Sequence, residues 1–275
     1  MYSSKGDKNM KFDFSTPMTI YELLAIILAA LALVIPFFKW IYDKYIRKLK
    51  INFLASGKLS VFFNKSGAYV SLGGVYEAKN KTAAVKNISA RIKRTSDKAI
   101  LSLRWSTFQS PVFRQIAGNY ETSFETAHPF KVEADTLTPV FVEFENAEQN
   151  SGEIINSIIN PLHKKALSDM NAQNIPVQAY DPTYRGSKEY KDALIAINDI
   201  FFWKPGEYTI ELITEYNNST FSCYGEFSLT KEDSEKLRAN IEELFVEPLA
   251  NKINCRITVN TVSKEFKLDN KSRKE

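Results

Sequence analysis

The residues of this chain best suited to hold a ligand are basic side chains that gather in its middle. Between residues 91 and 114 stand Arg91, Lys93, Arg94, Lys98, Arg104 and Arg114. Aromatic residues are interleaved with the last of these, namely Trp105, Phe108, Phe113 and Tyr120. Cations bind phosphate oxygens and aromatic rings stack on bases, so the stretch predicts a site for a nucleotide or short single-stranded oligonucleotide. The alternative, which the sequence favours, is that the basic residues protect exposed strands from aggregation and the aromatic residues belong to the core.

No residue pattern points to catalysis. The two histidines, His128 and His163, stand in no metal-binding or nucleophile-activating motif. The chain has no P-loop, no GxGxxG and no GxSxG sequence. The two cysteines, Cys223 and Cys255, have no CxxC spacing and fit small buried residues better than a disulfide framework. We therefore predict a protein that is not an enzyme and holds no metal or cofactor, although distant residues can assemble a catalytic site without a motif.

The overall composition excludes little. The formal net charge is +4 over 275 residues, and so small a surplus indicates nucleic-acid binding only where it concentrates on one face. A hydrophobic fraction of 44% and an aromatic fraction of 13% are typical of a folded globular protein. The length is sufficient for one large domain or two smaller ones.

One apolar run near the N-terminus has the length of a membrane span. No charged residue occurs within residues 23–38, and we predict a transmembrane helix over residues 19–42. Thr19 and Glu22 have the spacing of a capping box that starts this helix. Residues suited to the membrane interfaces flank the run, namely Tyr21 at one end and Lys39, Trp40 and Tyr42 at the other. A signal peptide fits less well because the apolar run continues beyond its small residues, and a buried soluble helix because every face is apolar.

The small residues of this helix share one face with its only acidic residue. The spacings of three and four residues place on one narrow stripe Glu22, Ala25, Ala29, Ala32 and Pro36. Small residues let helices approach closely in lipid, so the stripe predicts a homo-oligomer in which Glu22 forms an acidic ring that attracts cations. Pro36 lacks a backbone donor and is predicted to bend the last turn. The alternative is simple anchoring, the more frequent role of an N-terminal helix, with Glu22 acting only as a capping residue.

Basic residues around the span predict its orientation. It is followed by Lys39, Lys44, Arg47, Lys48 and Lys50 and preceded by only Lys5, Lys8 and Lys11. Because positive charge stays on the cytoplasmic side, we predict an outer tail at residues 1–18, a basic juxtamembrane segment at 43–50 and a cytoplasmic domain from residue 51. The expected location is the cytoplasmic (inner) membrane, crossed once.

Residues 51–266 have the pattern of antiparallel strands with helical insertions near residues 151–170, 188–200 and 231–252. The stretch between the first two insertions is predicted to be a loop, and residues 267–275 a flexible tail. The run "YEAKNKTAAVKNISARI…HPFKVEADTLTPVFVEFE…PGEYTIELITEY" resembles immunoglobulin-like sandwich modules of bacterial proteins, without their Cys…Trp…Cys signature. The predicted fold class is mainly β with α insertions: a single transmembrane helix followed by an immunoglobulin-like antiparallel β-sandwich.

The arrangement of a membrane span that leads directly into a strand occurs in "TIYELLAIILAALALVIPFFKWIYDKYIRKLKINF". It resembles bacterial single-pass membrane effectors of anti-phage defence, including Hailong-like systems gated by nucleotide or oligonucleotide messengers. The resemblance implies a ligand-sensing cytoplasmic domain and helices that respond, as an ion-conducting pore, when the ligand binds. The alternative is a passive membrane-anchored module that recruits a partner protein encoded nearby, and an enzyme ranks third.

Overall fold

The structure is a computed structural model that describes residues 19–116, 119–147, 151–252 and 259–269. Within these ranges it describes the backbone alone for residues 110–116, 119–123, 178, 247–252 and 269. The chain divides into two compact units, Met1–Lys48 and Leu49–Glu275. The predicted outer tail, residues 1–18, lies outside the described residues, as does Cys255.

The first unit contains helix α1 (Ile20–Ile41), followed by a π-helical turn (Tyr42–Ile46). The helix begins at the predicted capping box: the Glu22 amide donates to the Thr19 hydroxyl at 3.4 Å, and the Thr19 amide donates to a Glu22 carboxylate oxygen at 2.8 Å. Pro36 lies inside the helix, which continues unbroken beyond it. The predicted apolar helix is confirmed. Together with the π-helical turn it is, among the described residues, the one helix long and apolar enough to cross a membrane.

The second unit is built on one sheet that has eleven strands in the described part of the chain. In chain order they are β1 (Lys50–Asn64), β2 (Gly67–Lys79), β3 (Ala83–Arg94), β4 (Ile100–Ile116), β5 (Asn119–Thr126), β6 (Phe130–Val132), β7 (Thr136–Asn146), β8 (Gly206–Tyr216), β9 (Ser219–Leu229), β10 (Val262–Glu265) and β11 (Leu268–Asp269). They pair in the order β10-β1-β2-β7-β4-β3-β8-β9-β11, with β5 on β4 and β6 on β3. These named strand pairs are antiparallel.

Residues 262–269, here called the closing segment, join the two edges of this sheet. Their first part, β10, pairs with β1, and their last part, β11, pairs with β9. Between the two strands the Phe266 amide donates to the Gly57 carbonyl at 2.8 Å. The Phe266 ring is 2% exposed and lies against Gly225, where a Cβ atom would come within 2.4 Å of it. The start of the predicted flexible tail is therefore strand β11, which closes the sheet into a nearly complete barrel.

The curled sheet brings distant strands together around one hydrophobic core. Tyr76 on β2 and Thr214 on β8 are separated by three strands in the sheet order, yet their hydroxyl oxygens lie 2.6 Å apart in the core. Burial raises the pKa of Tyr76 far above its usual value, so the phenol stays protonated. A mainly antiparallel β fold with helical insertions is thus confirmed. The immunoglobulin-like sandwich stays a prediction, because the described strands form a single hydrogen-bonded sheet.

The described part of this unit also contains four helices: α2 (Ser151–Gln173), α3 (Val177–Gly186), α4 (Lys188–Ile200) and α5 (Lys231–Lys252). Three of them coincide with the predicted insertions. The exception is α3, since the sequence predicts a loop there. Tyr184 of α3 is 3% exposed, donates its hydroxyl to the Phe245 carbonyl at 3.0 Å and packs on the Tyr190 ring. Tertiary packing of its aromatic residues therefore stabilises a helix that the local sequence does not predict.

Candidate functional site

The stripe predicted on the apolar helix lies within α1. At about 100° per residue, its members fall within an arc of about 80° on the helix surface. None of α1 is buried, so the stripe is open to contact. The residues concerned are Glu22, Ala25, Ala29, Ala32 and Pro36. A second helix has access to this face along its whole length.

The residues predicted to stand at the membrane interfaces also lie on the helix or just after it. Tyr21 is in the first turn of α1, and Tyr42 starts the π-helical turn. Lys39 lies in the last turn of α1, where a cation favours the negative end of the helix dipole. The Lys44 ammonium sits 4.7 Å from the centre of the Trp40 ring. The basic and aromatic side chains at this end of the helix are therefore of the kind found at the lipid headgroup level of membrane proteins.

Arg94, one of the basic residues singled out in the sequence, is buried and hydrogen-bonded within the protein. Its side chain is 6% exposed. The guanidinium donates Nε to Asp97 Oδ1 at 2.8 Å and Nη2 to Asp97 Oδ2 at 2.6 Å, and it also donates to the Phe202 carbonyl. The alternation that buries Ile88, Ala90 and Ile92 places residue 94 on the same inward face. The burial of Arg94 could therefore have been predicted from the two-residue period of the strand.

The pKa of Asp97 is held well below its usual value, because the Arg94 guanidinium and then the Ala99 amide donate hydrogen bonds to its carboxylate. A depressed folded-state pKa stabilises the fold above about pH 4, the ordinary pKa of aspartate, and the contribution disappears as the pH falls toward the folded-state value. We expect Asp97→Asn to be less stable than wild type at neutral pH and the difference to shrink in acid, measured by urea unfolding. Asp192→Asn, at an exposed position of α4, is the control. A difference for Asp97→Asn that did not change with pH would contradict this account.

The other described members of the basic stretch lie on β3, on β4 and in the turn between these strands. Arg104 on β4 forms an ion pair with Glu145 of β7, with 2.6 Å between Nη2 and Oε1. Lys98 lies in the turn between β3 and β4, with a positive φ of 58°. The side chain of Arg114 lies outside the described residues, as do those of Phe113 and Tyr120. Lys98 lines a surface cavity together with Lys93, and the predicted patch as a whole stays a prediction.

The described aromatic residues of the stretch belong to the core side of the sheet. Trp105 is 7% exposed, and its ring meets the Phe108 ring edge to face at 4.4 Å. Phe108 in turn packs against Phe130 and His128. Trp105 and Phe108 therefore pack in the protein interior, as the interpretation of the aromatic residues as core residues predicts.

Arg91 and Lys93 form a different arrangement, on the exposed face of β3. Arg91, Glu211 and Tyr224 occupy facing positions on β3, β8 and β9. The Tyr224 hydroxyl donates to Glu211 Oε1 at 2.9 Å, and Arg91 Nη1 lies 3.6 Å from Glu211 Oε2. Lys93 faces Thr209 in register, so its cross-strand neighbour carries no charge. Two cations thus stand two residues apart on one face, the first of them positioned by a carboxylate.

These two cations line a groove of about 940 Å³ beside the closing segment. Further charged residues line it: two cations, Lys58 and Lys267, and three carboxylates, Glu211, Glu226 and Glu265. Lys58 comes from β1 and Lys267 from the closing segment. Because they join Arg91 only through closure of the sheet, no local sequence pattern links them to it.

The described residues include no clustered metal ligands and no activated thiol. No group of three or more His, Cys, Asp or Glu side chains that could hold a metal ion occurs among the described residues. Cys223 is buried, and burial raises the pKa of its thiol to about 12, so the nucleophilic thiolate is suppressed. His128 Nδ1 lies 3.0 Å from the Thr126 carbonyl. The groove and the α1 stripe are therefore the two candidate functional sites.

Comparison with known proteins assigns the chain to no family. No protein-family model matches the chain, and no curated protein matches it. Among solved structures, the chain is similar to a family 123 glycoside hydrolase from Clostridium perfringens, with a TM-score of 0.29 and 7% sequence identity. The similarity covers 66% of this chain and 28% of that protein. At this TM-score the likeness supports no statement about fold or activity.

Proposed function

We propose that this protein is an oligomeric inner-membrane effector of bacterial anti-phage defence. In this proposal α1 crosses the membrane once, the helices associate through the stripe, and the second unit binds an anionic messenger in the cytoplasm. The observation that carries the proposal is the stripe itself: three alanines and Glu22 on one face of a 22-residue apolar helix, none of it buried. In this proposal the second unit binds a ligand and does not catalyse a reaction.

The membrane location and orientation rest on chemistry at the ends of α1. An apolar helix of this length fits the hydrocarbon core of a bilayer. The residues that follow it are more basic than those that precede it, which favours a cytoplasmic second unit. Chain continuity then connects the π-helical turn to β1 through only three residues, 47–49.

For the second unit we propose the immunoglobulin-like sandwich in its constant-domain form. That form has strands A, B, E and D in one sheet and C, F and G in the other. If β1, β2, β3, β4, β7, β8 and β9 are assigned A to G in chain order, the observed pairing order reads A-B-E-D-C-F-G. The long strand β4 pairs with both β7 and β3, and so connects the two proposed layers. The buried contact between Tyr76 and Thr214 joins strands B and F across the interior.

Self-association is tested by the mass of the full-length protein in detergent, in wild type and two matched variants. Ala29→Leu adds bulk on the stripe, whereas Ala30→Leu makes the same change about 120° away from its centre. We expect a defined oligomer for wild type and Ala30→Leu and a monomer for Ala29→Leu, because bulk at the interface keeps helix backbones apart. A monomeric wild type would overturn the effector proposal and favour a passive anchor that recruits a partner protein.

The pore is tested separately by cation flux into liposomes that contain the full-length protein. Glu22→Gln removes the acidic ring while leaving the stripe of alanines unchanged. We expect Glu22→Gln to lower the cation flux and the preference for cations over anions, because a ring of carboxylates concentrates cations at the mouth. An oligomer whose flux stayed at that of empty liposomes, both without ligand and with pyrophosphate in place of the anionic messenger, would contradict the pore.

A further inference from the structure

We propose that the groove beside the closing segment is the ligand site of the second unit and that it binds the phosphate groups of a small phosphorylated molecule. This inference rests on the proposed function, for which it names a ligand class and a site. The groove has a volume of about 940 Å³, which is within the range of small-molecule sites. Its basic residues come from three separate parts of the fold: β3, β1 and the closing segment.

Arg91 supplies the most specific contact for a phosphate. Its side chain is 56% exposed, so it reaches solvent in the groove rather than the core. Glu211 lies at ion-pair distance, 3.6 Å, from one end of the guanidinium, and the Tyr224 hydroxyl donates a hydrogen bond to Glu211. A guanidinium has five N–H donors in a rigid fork, so this single carboxylate orients it and leaves donors for a planar pair of phosphate oxygens.

Lys93 adds a second cation on the same face of the same strand. Residues two apart on a strand lie about 6–7 Å apart, which suits two adjacent phosphoryl groups. Lys58 on β1 and Lys267 in the closing segment add positive charge to the lining of the groove. A ligand that reached these residues as well as Arg91 would contact both the sheet and the segment that closes it.

The carboxylates of the groove limit the kind of ligand that it accepts. Glu211, Glu226 and Glu265 line it together with the four cations, so the groove is nearly neutral as a whole. A long nucleic-acid backbone requires a continuous positive track, which this groove lacks. A small molecule can place its phosphates on Arg91 and Lys93 and its hydroxyl groups near the carboxylates. The geometry therefore favours a short phosphate over an oligonucleotide.

The experiment measures binding of inorganic pyrophosphate to the full-length protein in detergent by titration calorimetry. The test variant is Arg91→Gln with Lys93→Gln. The control is Lys191→Gln with Lys236→Gln, which removes the same charge at exposed positions of α4 and α5. We expect saturable binding to wild type, at least about tenfold weaker binding to the test variant, and unchanged binding to the control, because charge-assisted hydrogen bonds are lost only in the first.

Several results would overturn the proposal. These are no saturable binding of pyrophosphate, equal weakening in both variants, or tighter binding of a single-stranded oligonucleotide than of pyrophosphate. Lys58→Gln with Lys267→Gln provides a second test at other residues of the groove lining, should the first variant fold poorly. Binding and oligomeric mass are read independently. An intact oligomer without binding refutes the groove alone, and a monomer that binds pyrophosphate refutes the effector alone.

Discussion

Replacing Phe266 by alanine is expected to lower the free energy of unfolding by about 3–5 kcal/mol, the usual cost of removing a buried phenylalanine ring. Phe266 is 2% exposed and fills the space beside Gly225 that a side chain would otherwise occupy. The ring lies at the point where the closing segment changes from β1 to β9, so its loss also weakens the pairing on both sides. The measurement is urea unfolding of the full-length protein in detergent.

A matched control separates this effect from a general loss of aromatic surface. Phe124→Ala removes a ring that is 53% exposed, and we expect a change within about 0.5 kcal/mol. Gly225→Ala adds a Cβ atom against the Phe266 ring and, at 2.9 Å, against the Lys267 carbonyl, and should destabilise wild type by about 1–3 kcal/mol. In the Phe266→Ala background the contact with the carbonyl remains, so the cost should be smaller but not zero. Equal effects of Gly225→Ala in both backgrounds would show that the two residues are not packed as described.

Further contacts of the closing segment, and of Asn260 just before it, keep the Phe266→Ala variant folded. The Asn240 side-chain amide donates to the Asn260 carbonyl at 2.8 Å, and its oxygen accepts from the Asn260 amide at 2.7 Å. Lys264 forms an ion pair with Asp233 at the start of α5. We therefore expect Phe266→Ala to loosen the residues around 266–269 first, which amide hydrogen exchange would detect as lost protection of β11.

Replacing Trp203 by alanine is expected to cost about 4–6 kcal/mol, because it combines a large cavity with a lost hydrogen bond. Trp203 is fully buried, and its indole N–H donates to the Phe62 carbonyl of β1 at 2.8 Å. The Trp203 carbonyl accepts from the Ser234 hydroxyl of α5 at 2.6 Å. One residue thus ties the first strand and the last helix to the segment between α4 and β8.

A graded pair of variants divides the two contributions of Trp203. Trp203→Phe keeps most of the ring but leaves the Phe62 carbonyl without its donor, so we expect a loss of about 1–3 kcal/mol. Trp203→Ala adds the cavity. Unfolding of both variants in urea gives the comparison. A Trp203→Phe variant as unstable as Trp203→Ala would mean that the hydrogen bond, and not the volume of the ring, dominates at this position.

The elements that the sequence predicts correctly are those with a local physical cause. Helix α1 begins at Thr19 because the capping box needs only residues 19 and 22, and its body is apolar throughout. In β3 the alternation that faces Ile88, Ala90 and Ile92 inward leaves Arg91 and Lys93 outside. The three predicted insertions follow from the period of their apolar residues.

Several other sequence predictions depend on partners that the local chain does not contain. The stretch of α3 contains Pro182 and ends in Gly186, which predicts a loop, but buried Tyr184 holds it as a helix. The local sequence predicts that Arg94 belongs to an exposed basic patch. In the fold its guanidinium is buried against the Phe202 carbonyl and Asp97.

By itself, then, the sequence determined a membrane-length apolar helix that carries the stripe of small residues and Glu22. It also determined a mainly β second unit with helices at three places. Only the tertiary structure decided that residues 262–269 close the sheet and that Lys58 and Lys267 meet Arg91 and Lys93 in one groove. The reason is the range of the interactions. Capping and alternation act over a few residues, whereas the Ser60 and Ser263 hydroxyls, 2.8 Å apart, belong to residues 203 positions apart in the chain. Such pairs form only when the whole sheet has curled around its core.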